Sequence, residues 1–317
     1  MTLDFKKMNI KSTYKASDTE EWFDIIFNRP LGYLWARLFN HFGVHPNTVT
    51  VLSIFLGMAG GLLFVNDADT TQGFLLNLLG VALFAWADIY DSADGQLARM
   101  SGKKTQFGRI LDGASGDLWF ICAYAAIAIR LYDKPMDFSL LSFHFSLPHS
   151  WGWLSWALVV FSGLFCHATQ CRQADYYRTI HLHFLNGTSL DRSADQRAIY
   201  ESLSWNKHPI QKFFYFLYHR YTSAQERSAP HFQTLWNHLE KTYGNNVPQS
   251  FRDEFRRRSL PLMKYANFIT FNIRAFALYT AVLTDRPWLY PLFEMTVLTA
   301  VYLYLHHRHE QLSKSML

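Results

Sequence analysis

The sequence predicts an all-α integral membrane protein: six transmembrane helices, an N-terminal interfacial helix and a helical cytoplasmic insert. Three observations carry that prediction. Six apolar stretches, 48–66, 73–90, 112–132, 151–169, 264–284 and 287–306, each reach the roughly 20 residues that a bilayer crossing needs. The segments between them are strongly polar, so the mean hydropathy of −0.06 averages over a segregated chain of 317 residues, half of them hydrophobic. Finally, the segments are separated by breaker residues with no strand alternation, and no sheet is expected. A soluble helical protein would need several helices apolar on all sides, which is unusual at this size.

The elements follow in order. Residues 1–18 read as a polar tail, and the first 20 residues lack the apolar core of a signal peptide, so the first span is expected to anchor the chain. Within 1–43, Trp22, Phe23, Ile26 and Phe27 share one helical stripe and Leu34, Trp35, Leu38 and Phe39 another, separated by Pro30 and Gly32. That pattern fits a helix in the membrane interface, or one packed on its neighbours. The region 44–179 holds spans one to four. In the first span Ala59, Gly60 and Gly61 permit close helix packing. Residues 180–262 form a polar insert with helical patterning over 210–221 and 232–244, broken by Asn186-Gly187, Pro209, Pro230, Gly244 and Pro248. The last region, 263–317, carries spans five and six and a tail. Cys122, Cys166 and Cys171 lie in or beside apolar runs without metal-ligand spacing and read as buried small hydrophobes. The fourteen histidines show no ligand spacing; His181, His183, His306, His307 and His309 read as interfacial or solvated.

Charge distribution sets the expected orientation. The formal net charge is +5. The short loop 98–109 carries Arg99, Lys103, Lys104 and Arg109, and the 170–263 region adds Arg172, Arg178, Arg192, Arg197, Lys207 and Arg256-Arg257-Arg258. The opposite loop 67–72 has no cation. The positive-inside rule then puts both termini and the basic loops in the cytoplasm. These cations flank membrane spans, which excludes nucleic acid as a partner and points to anionic lipid headgroups.

The chemistry is concentrated in 88–117, DIYDSADGQLARMSGKKTQFGRILDGASGD, at the cytoplasmic ends of the second and third spans. Acids inside membrane helices are costly and mark functional sites by default. Asp91 and Asp94 share a helix face, Gly95 and Ala98 leave room beside them, and Gly108 and Asp112 share a face of the next helix. A hairpin of the two helices makes three carboxylates converge. Such a cluster needs a cation between its members, and all-oxygen ligands suit Mg²⁺ or Mn²⁺. Two such ions clamp a phosphoryl group during in-line displacement. The rival reading is a salt-bridge network with Arg99, Arg109 and the lysines.

The spacing D-x2-D-G-x2-A-R-x8-G-x3-D, supplied by Asp91, Asp94, Gly95, Ala98, Arg99, Gly108 and Asp112, resembles the signature of the CDP-alcohol phosphotransferase family. The segment HPNTVT (45–50), with Asn47 and Thr50, is similar to that family's P-N-x-(I/V/L)-T opening. The resemblance covers about residues 28–180. It implies a six-helix membrane enzyme, commonly dimeric, that moves a phosphatidyl or other phospho-alcohol group from a CDP-activated donor to an alcohol and releases CMP. It further implies that Asn47, Thr50, Asp94, Gly95, Ala98, Arg99 and Gly108 bind the nucleotide. Two Mg²⁺ or Mn²⁺ ions would be held by Asp91, Asp94, Asp112 and a fourth acid, which also serves as general base. CDP-diacylglycerol is the expected donor, and inositol phosphate or inositol the first expected acceptor. Phosphocholine or phosphoethanolamine transfer to a lipid alcohol is the alternative.

The fourth acid is where the chain departs from the signature. It belongs at 116, which is Gly116; Asp117 follows, about 100° around a regular helix. A π-bulge between 112 and 117 would restore alignment and let Asp117 act as base and metal ligand, with Asp112 beside it in catalysis. Another acid such as Asp88 could take the role instead. If neither does, the chain is a non-catalytic CDP-lipid-binding membrane protein; a transporter is a third reading. At the acceptor, Lys103, Lys104 and Arg109 with Arg172 and Arg178 of CRQADYYR (171–178) make a candidate cationic pocket, because arginine suits phosphate geometry.

Overall fold

The computed structural model describes residues 18–138, 144–244 and 246–317. All of the tail expected over 1–18 except Asp18 lies outside them. In chain order the helices are α1 (Arg29–His41), α2 (Pro46–Leu63), α3 (Thr71–Ser101), α4 (Gln106–Tyr132), α5 (Trp153–Val160), α6 (Ala168–Asn186), α7 (Ser193–Ser202), α8 (Pro209–Ser228), α9 (Pro230–Tyr243), α10 (Gln249–Phe268), α11 (Phe271–Leu283), α12 (Leu289–Phe293) and α13 (Thr299–Ser315). Turns of π-helix at Asp24–Asn28, Phe161–His167 and Glu294–Leu298 lead into α1, join α5 to α6 and join α12 to α13. One feature was not expected. Two short antiparallel strands, β1 (Pro135–Asp137) and β2 (Ser146–Ser150), pair in the loop after α4.

Among the described residues, five helical stretches are long and apolar enough to cross a membrane: Pro46–Leu63, Thr71–Ser101, Gln106–Tyr132, Trp153–Asn186 and Gln249–Leu283. The sixth expected span, 287–306, is helical but does not join them. Glu294 interrupts it and its end runs into His306, His307 and Arg308.

The chain divides into two compact units. The first comprises Trp22–Ala168 and Phe271–Thr296, the second residues 18–21, Thr169–Thr270 and Val297–Leu317. In the first unit the helix ends are set locally. Thr70 and Thr105 cap α3 and α4 by accepting from the Gly73 and Gly108 N–H groups at 3.0 and 2.9 Å. Gly102, at φ +70°, ends α3 in the left-handed conformation that a non-glycine residue resists. This tight α3–α4 hairpin brings the end of one helix beside the start of the next.

Close approach of α2 to α3 and α4 needs its glycines. A Cβ on Gly60 would lie 2.7 Å from the Gly80 carbonyl oxygen of α3, one on Gly61 2.9 Å from the Ala123 nitrogen of α4, and one on Gly57 2.3 Å from the Trp119 ring. Small residues at these crossings give the van der Waals contact that replaces the hydrophobic drive inside a bilayer. Around them Phe84 meets Trp119 and Phe120 edge-on, with ring centroids 5.7 and 5.5 Å apart, and stacks on Phe271. At the far end from the α3–α4 turn, buried Arg130 donates to the carbonyls of Phe64 (3.2 Å) and Val282 (3.1 Å) and to Asn77 Oδ1 (3.2 Å), and pairs with Asp285 and Asp67. It thereby satisfies carbonyls left open at the ends of α2 and α11. The segment before α2 is helical, with Gly32 of α1 against Ser92 and Ala93 of α3, while Trp22, Leu34, Leu38 and Phe42 stay exposed.

The second unit surrounds Tyr177, Phe184, Phe232 and Phe255, with Phe184 stacked on Phe255 at 4.1 Å. Two of its histidines depart from the expectation of interfacial or solvated side chains. His181 and His309 are fully buried: His181 Nδ1 lies 2.7 Å from Ser259 Oγ, and His309 stacks on Tyr177 at 3.9 Å. Cys122 and Cys166 are buried, as expected, and Cys171 is half-buried.

Candidate active site

The α3–α4 hairpin gathers Asp91 and Asp94 of α3 with Asp112 of α4, and one carboxylate oxygen from each lies within 4.8 Å of the other two. Asp94 is only 3% exposed, and its Oδ2 has no hydrogen-bond partner among the described residues. Three carboxylates this close repel one another unless a cation sits among them. The donor set is all oxygen, and a buried carboxylate oxygen has a lone pair to spare. These residues fit a hard divalent cation such as Mg²⁺ or Mn²⁺.

Neighbours orient the cluster. Ser115 Oγ, buried on α4, donates to Asp91 Oδ1 at 2.6 Å and lies at the same distance from the Asp112 carbonyl oxygen, so it ties the two helices together at the acids. Thr50 of α2, also buried, lies beside Asp94. Asn47 sits against Gly108, where a Cβ would come 2.8 Å from Asn47 Oδ1. Over Gly95 the neighbouring side chain is Arg99, its guanidinium nitrogens 3.5 Å from the would-be Cβ, and Ala98 is half-buried on the same stretch of α3. Asn47, Thr50, Gly95, Ala98, Arg99 and Gly108 thus lie with the three acids at one end of the hairpin. Asp88 points elsewhere, accepting from Asn28 Nδ2 at 2.6 Å.

Residues 43–164 match the sequence model of the family described as CDP-alcohol phosphatidyltransferase. Residues 43–164 are a CDP-alcohol phosphatidyltransferase domain. That family is one of phosphotransferases, and with five apolar helices the chain is an integral membrane protein. A curated protein of Aquifex aeolicus (strain VF5), described as an uncharacterized protein, is 28% identical over 116 residues, 37% of this chain and 55% of that protein. The chain therefore spans about half the length of that relative.

Two sequence expectations about the phosphatidyltransferase domain change in the structure. The α4 backbone is regular α-helix from Gln106 to Tyr132, so the π-bulge expected between 112 and 117 is absent, and Ser115 reaches the Asp112 carbonyl inside an unbroken ladder. Asp117 accordingly stands outside the group of three acids. Its side chain is 60% exposed, and its Oδ1 lies 3.8 Å from Nε2 of His167. Position 116 is vacant space: a Cβ on Gly116 would meet no atom within 4 Å.

Among the expected acceptor cations, Lys103, Lys104 and Arg109 are exposed around the hairpin turn. Arg172 and Arg178 belong to the second unit, on α6. There the Arg172 carbonyl accepts from Gln225 Nε2 at 3.0 Å, and Arg178 faces Glu21 at 3.9 Å. Sequence reasoning missed Ser115, His167 and Glu294. A histidine at 167 and a glutamate at 294, each inside an otherwise apolar run, were the available signal.

Proposed function

We propose that this protein transfers a phosphatidyl group from a CDP-activated donor, CDP-diacylglycerol first, to a polar alcohol and releases CMP. The carrying observation is the convergence of Asp91, Asp94 and Asp112 within 4.8 Å inside a CDP-alcohol phosphatidyltransferase domain. In this reading the three carboxylates hold Mg²⁺ or Mn²⁺. Two such ions would screen the pyrophosphate charge and polarise the phosphorus under attack.

The remaining work falls to the chain. Ser115 fixes the rotamer of Asp91, so the ligand oxygens are arranged before the donor arrives. Gly95 and Ala98 leave the α3 backbone open to a nucleotide, and Arg99 beside Gly95 supplies a positive charge for the pyrophosphate. Asn47, pressed against Gly108, and Thr50 close the nucleotide side. Lys103, Lys104 and Arg109 offer exposed positive charge to a phosphorylated acceptor, which makes inositol phosphate the first to try and inositol the second. Asp117, next to vacant position 116, is the acid proposed to take the acceptor proton. The site and both termini would face the cytoplasm, following the cation-rich loops.

The test is CMP release by the full-length protein in detergent, with CDP-diacylglycerol or CDP-choline-type donors, a panel of alcohols, and Mg²⁺ or Mn²⁺. Metal-dependent release that disappears in Asp91→Ala supports the transferase and names its acceptor. Donor binding without release for any pair favours a CDP-lipid-binding protein.

A further inference from the structure

A second polar cluster lies deeper in the first unit, and the phosphatidyltransferase match, which ends at 164, does not reach most of its members. Its centre is Glu294, 0% exposed. Oε1 accepts from Arg274 Nη1 and from Tyr290 OH, both at 2.5 Å, and lies 3.1 Å from His167 Nδ1. Oε2 accepts from Ser162 Oγ at 2.5 Å and from Tyr124 OH. Tyr124 OH and Arg274 Nη1 also lie 3.2 and 3.3 Å from His167 Nδ1. Side chains from α4, α11, α12 and the Phe161–His167 π turn thus surround one carboxylate. Burying so many polar groups among membrane helices is expensive, and such clusters mark function by default.

The arrangement fixes the imidazole. A carboxylate at Nδ1 selects the tautomer that carries hydrogen there, which makes Nε2 the accepting nitrogen. Nε2 faces Asp117 Oδ1 at 3.8 Å, and the Asp117 side chain opens outward at 60% exposure. Asp117 adjoins Gly116, where the family signature places its last acid and where this structure has space. With Arg274 neutralising Glu294, the pair of neutral imidazole and Asp117 carboxylate has one negative charge. One added proton makes the whole group neutral, which a low-dielectric site favours.

We infer that the Glu294–His167–Asp117 line is a proton relay that replaces the acid missing at position 116. The inference rests on the transferase reading. Asp117 takes the proton of the acceptor hydroxyl as the acceptor oxygen bonds to phosphorus and the P–O bond to CMP breaks, with the bonding electrons leaving on CMP. The proton then comes to rest on His167 Nε2, and Glu294 stabilises the imidazolium. Asp117 is the group that meets the substrate. His167 and Glu294 act through it as positioning residues. A separation of 3.8 Å is one that catalytic contacts commonly close on substrate binding.

The test uses full-length protein and the CMP-release assay, with Asp117→Asn, His167→Gln, Glu294→Gln, Gly116→Asp and the double variant His167→Gln/Gly116→Asp. Loss of a general base is expected to lower kcat about 100-fold or more in Asp117→Asn and His167→Gln, without compounding when the two are combined. Donor affinity, measured by calorimetry with Mg²⁺, should stay within about threefold of wild type, because the relay acts in the transition state. The kcat of His167→Gln should climb with pH where wild type levels off, since hydroxide substitutes for the lost base. Adding Gly116→Asp to His167→Gln should recover about tenfold or more by restoring the family's own acid. A His167→Gln protein that keeps wild-type kcat overturns the relay and leaves the transferase standing. So does one that loses donor binding and is not rescued by Gly116→Asp, since that is the behaviour of a purely structural residue. Wild-type protein that releases no CMP with any substrate pair removes the transferase reading, and the relay falls with it.

Discussion

Ser115 Oγ donates to Asp91 Oδ1 across the α3–α4 hairpin at 2.6 Å, so one of the three clustered acids is held by a hydroxyl from the opposite helix. Removing that hydroxyl frees Asp91 to rotate. Ser115→Ala should weaken Mn²⁺ binding about 10-fold, in the range found for residues that orient metal ligands. Titration of the purified protein with Mn²⁺, followed by electron paramagnetic resonance, reads this directly. An unchanged affinity would mean that Asp91 does not need its partner.

Gly108 and Asn47 give a second prediction. A methyl group at 108 would sit 2.8 Å from Asn47 Oδ1 and 2.9 Å from Thr105 Oγ1. Gly108→Ala should therefore destabilise the domain by about 1–3 kcal/mol through overpacking. Adding Asn47→Ala should return part of that loss, because the shorter side chain vacates the space. Thermal unfolding of the single and double variants decides the point.

Gly57 makes a sharper demand, because its would-be Cβ lies 2.3 Å from the buried Trp119 ring. Gly57→Ala should cost about 1–3 kcal/mol in unfolding midpoint terms, whereas Gly113→Ala, with no atom within 4 Å, should cost less than about 1 kcal/mol from overpacking. Equal effects at the two positions would contradict the close α2–α4 approach.

Arg130 joins three helix ends through its guanidinium. Arg130→Met should destabilise the protein by about 3 kcal/mol, near the low end for breaking a buried ion pair because Asp67 and Asp285 are partly exposed. Arg130→Lys should fall between, keeping the charge but losing the fork that reaches two carbonyls at once. Denaturant-induced unfolding in detergent provides the comparison.

In the second unit Asp18 meets Arg256 Nη2 at 2.8 Å and His181 Nε2 at 3.3 Å. Burial disfavours its charge, yet Arg256 and His181 hold its carboxyl below the usual carboxylate range. A depressed folded-state value contributes stability above the unfolded-state value and loses it as pH falls through the folded one. The stability gap between wild type and Asp18→Asn should hold near neutral pH and shrink below about pH 4, as unfolding midpoints across that range will show.

Much of this was legible in the sequence. The first five apolar runs were read correctly because length and composition alone make a span. Pro209 and Pro230 sit at the first positions of α8 and α9, and Gly187 and Gly244 end helices at φ +75° and +55°, as breaker chemistry predicts. Asp91, Asp94 and Asp112 converge because their spacing puts each on a facing surface of a hairpin that Gly102 and Thr105 close. What escaped were contacts distant in sequence. Nothing local ties Glu294 to His167, 127 positions apart, or tells a solvated histidine from the buried His309. The bulge failed for a related reason. It was posited to carry Asp117 to the metal cluster, whereas the side chain turns to a histidine that periodicity could not bring near.

The glycines of α2 have one more consequence. Where Gly60 meets Gly80 and Gly61 meets Ala123, main chain touches main chain, with no side chain between to yield. Helices α2, α3 and α4 therefore form one closely packed frame, which sets where the acids' backbones stand while Ser115 sets the Asp91 rotamer. For the proposed CDP-diacylglycerol donor, the give needed for entry and exit would fall to parts of the first unit outside these three helices. Changes in bilayer thickness or tension would then alter how fast that donor arrives while the α3–α4 hairpin that carries the carboxylates keeps its packing.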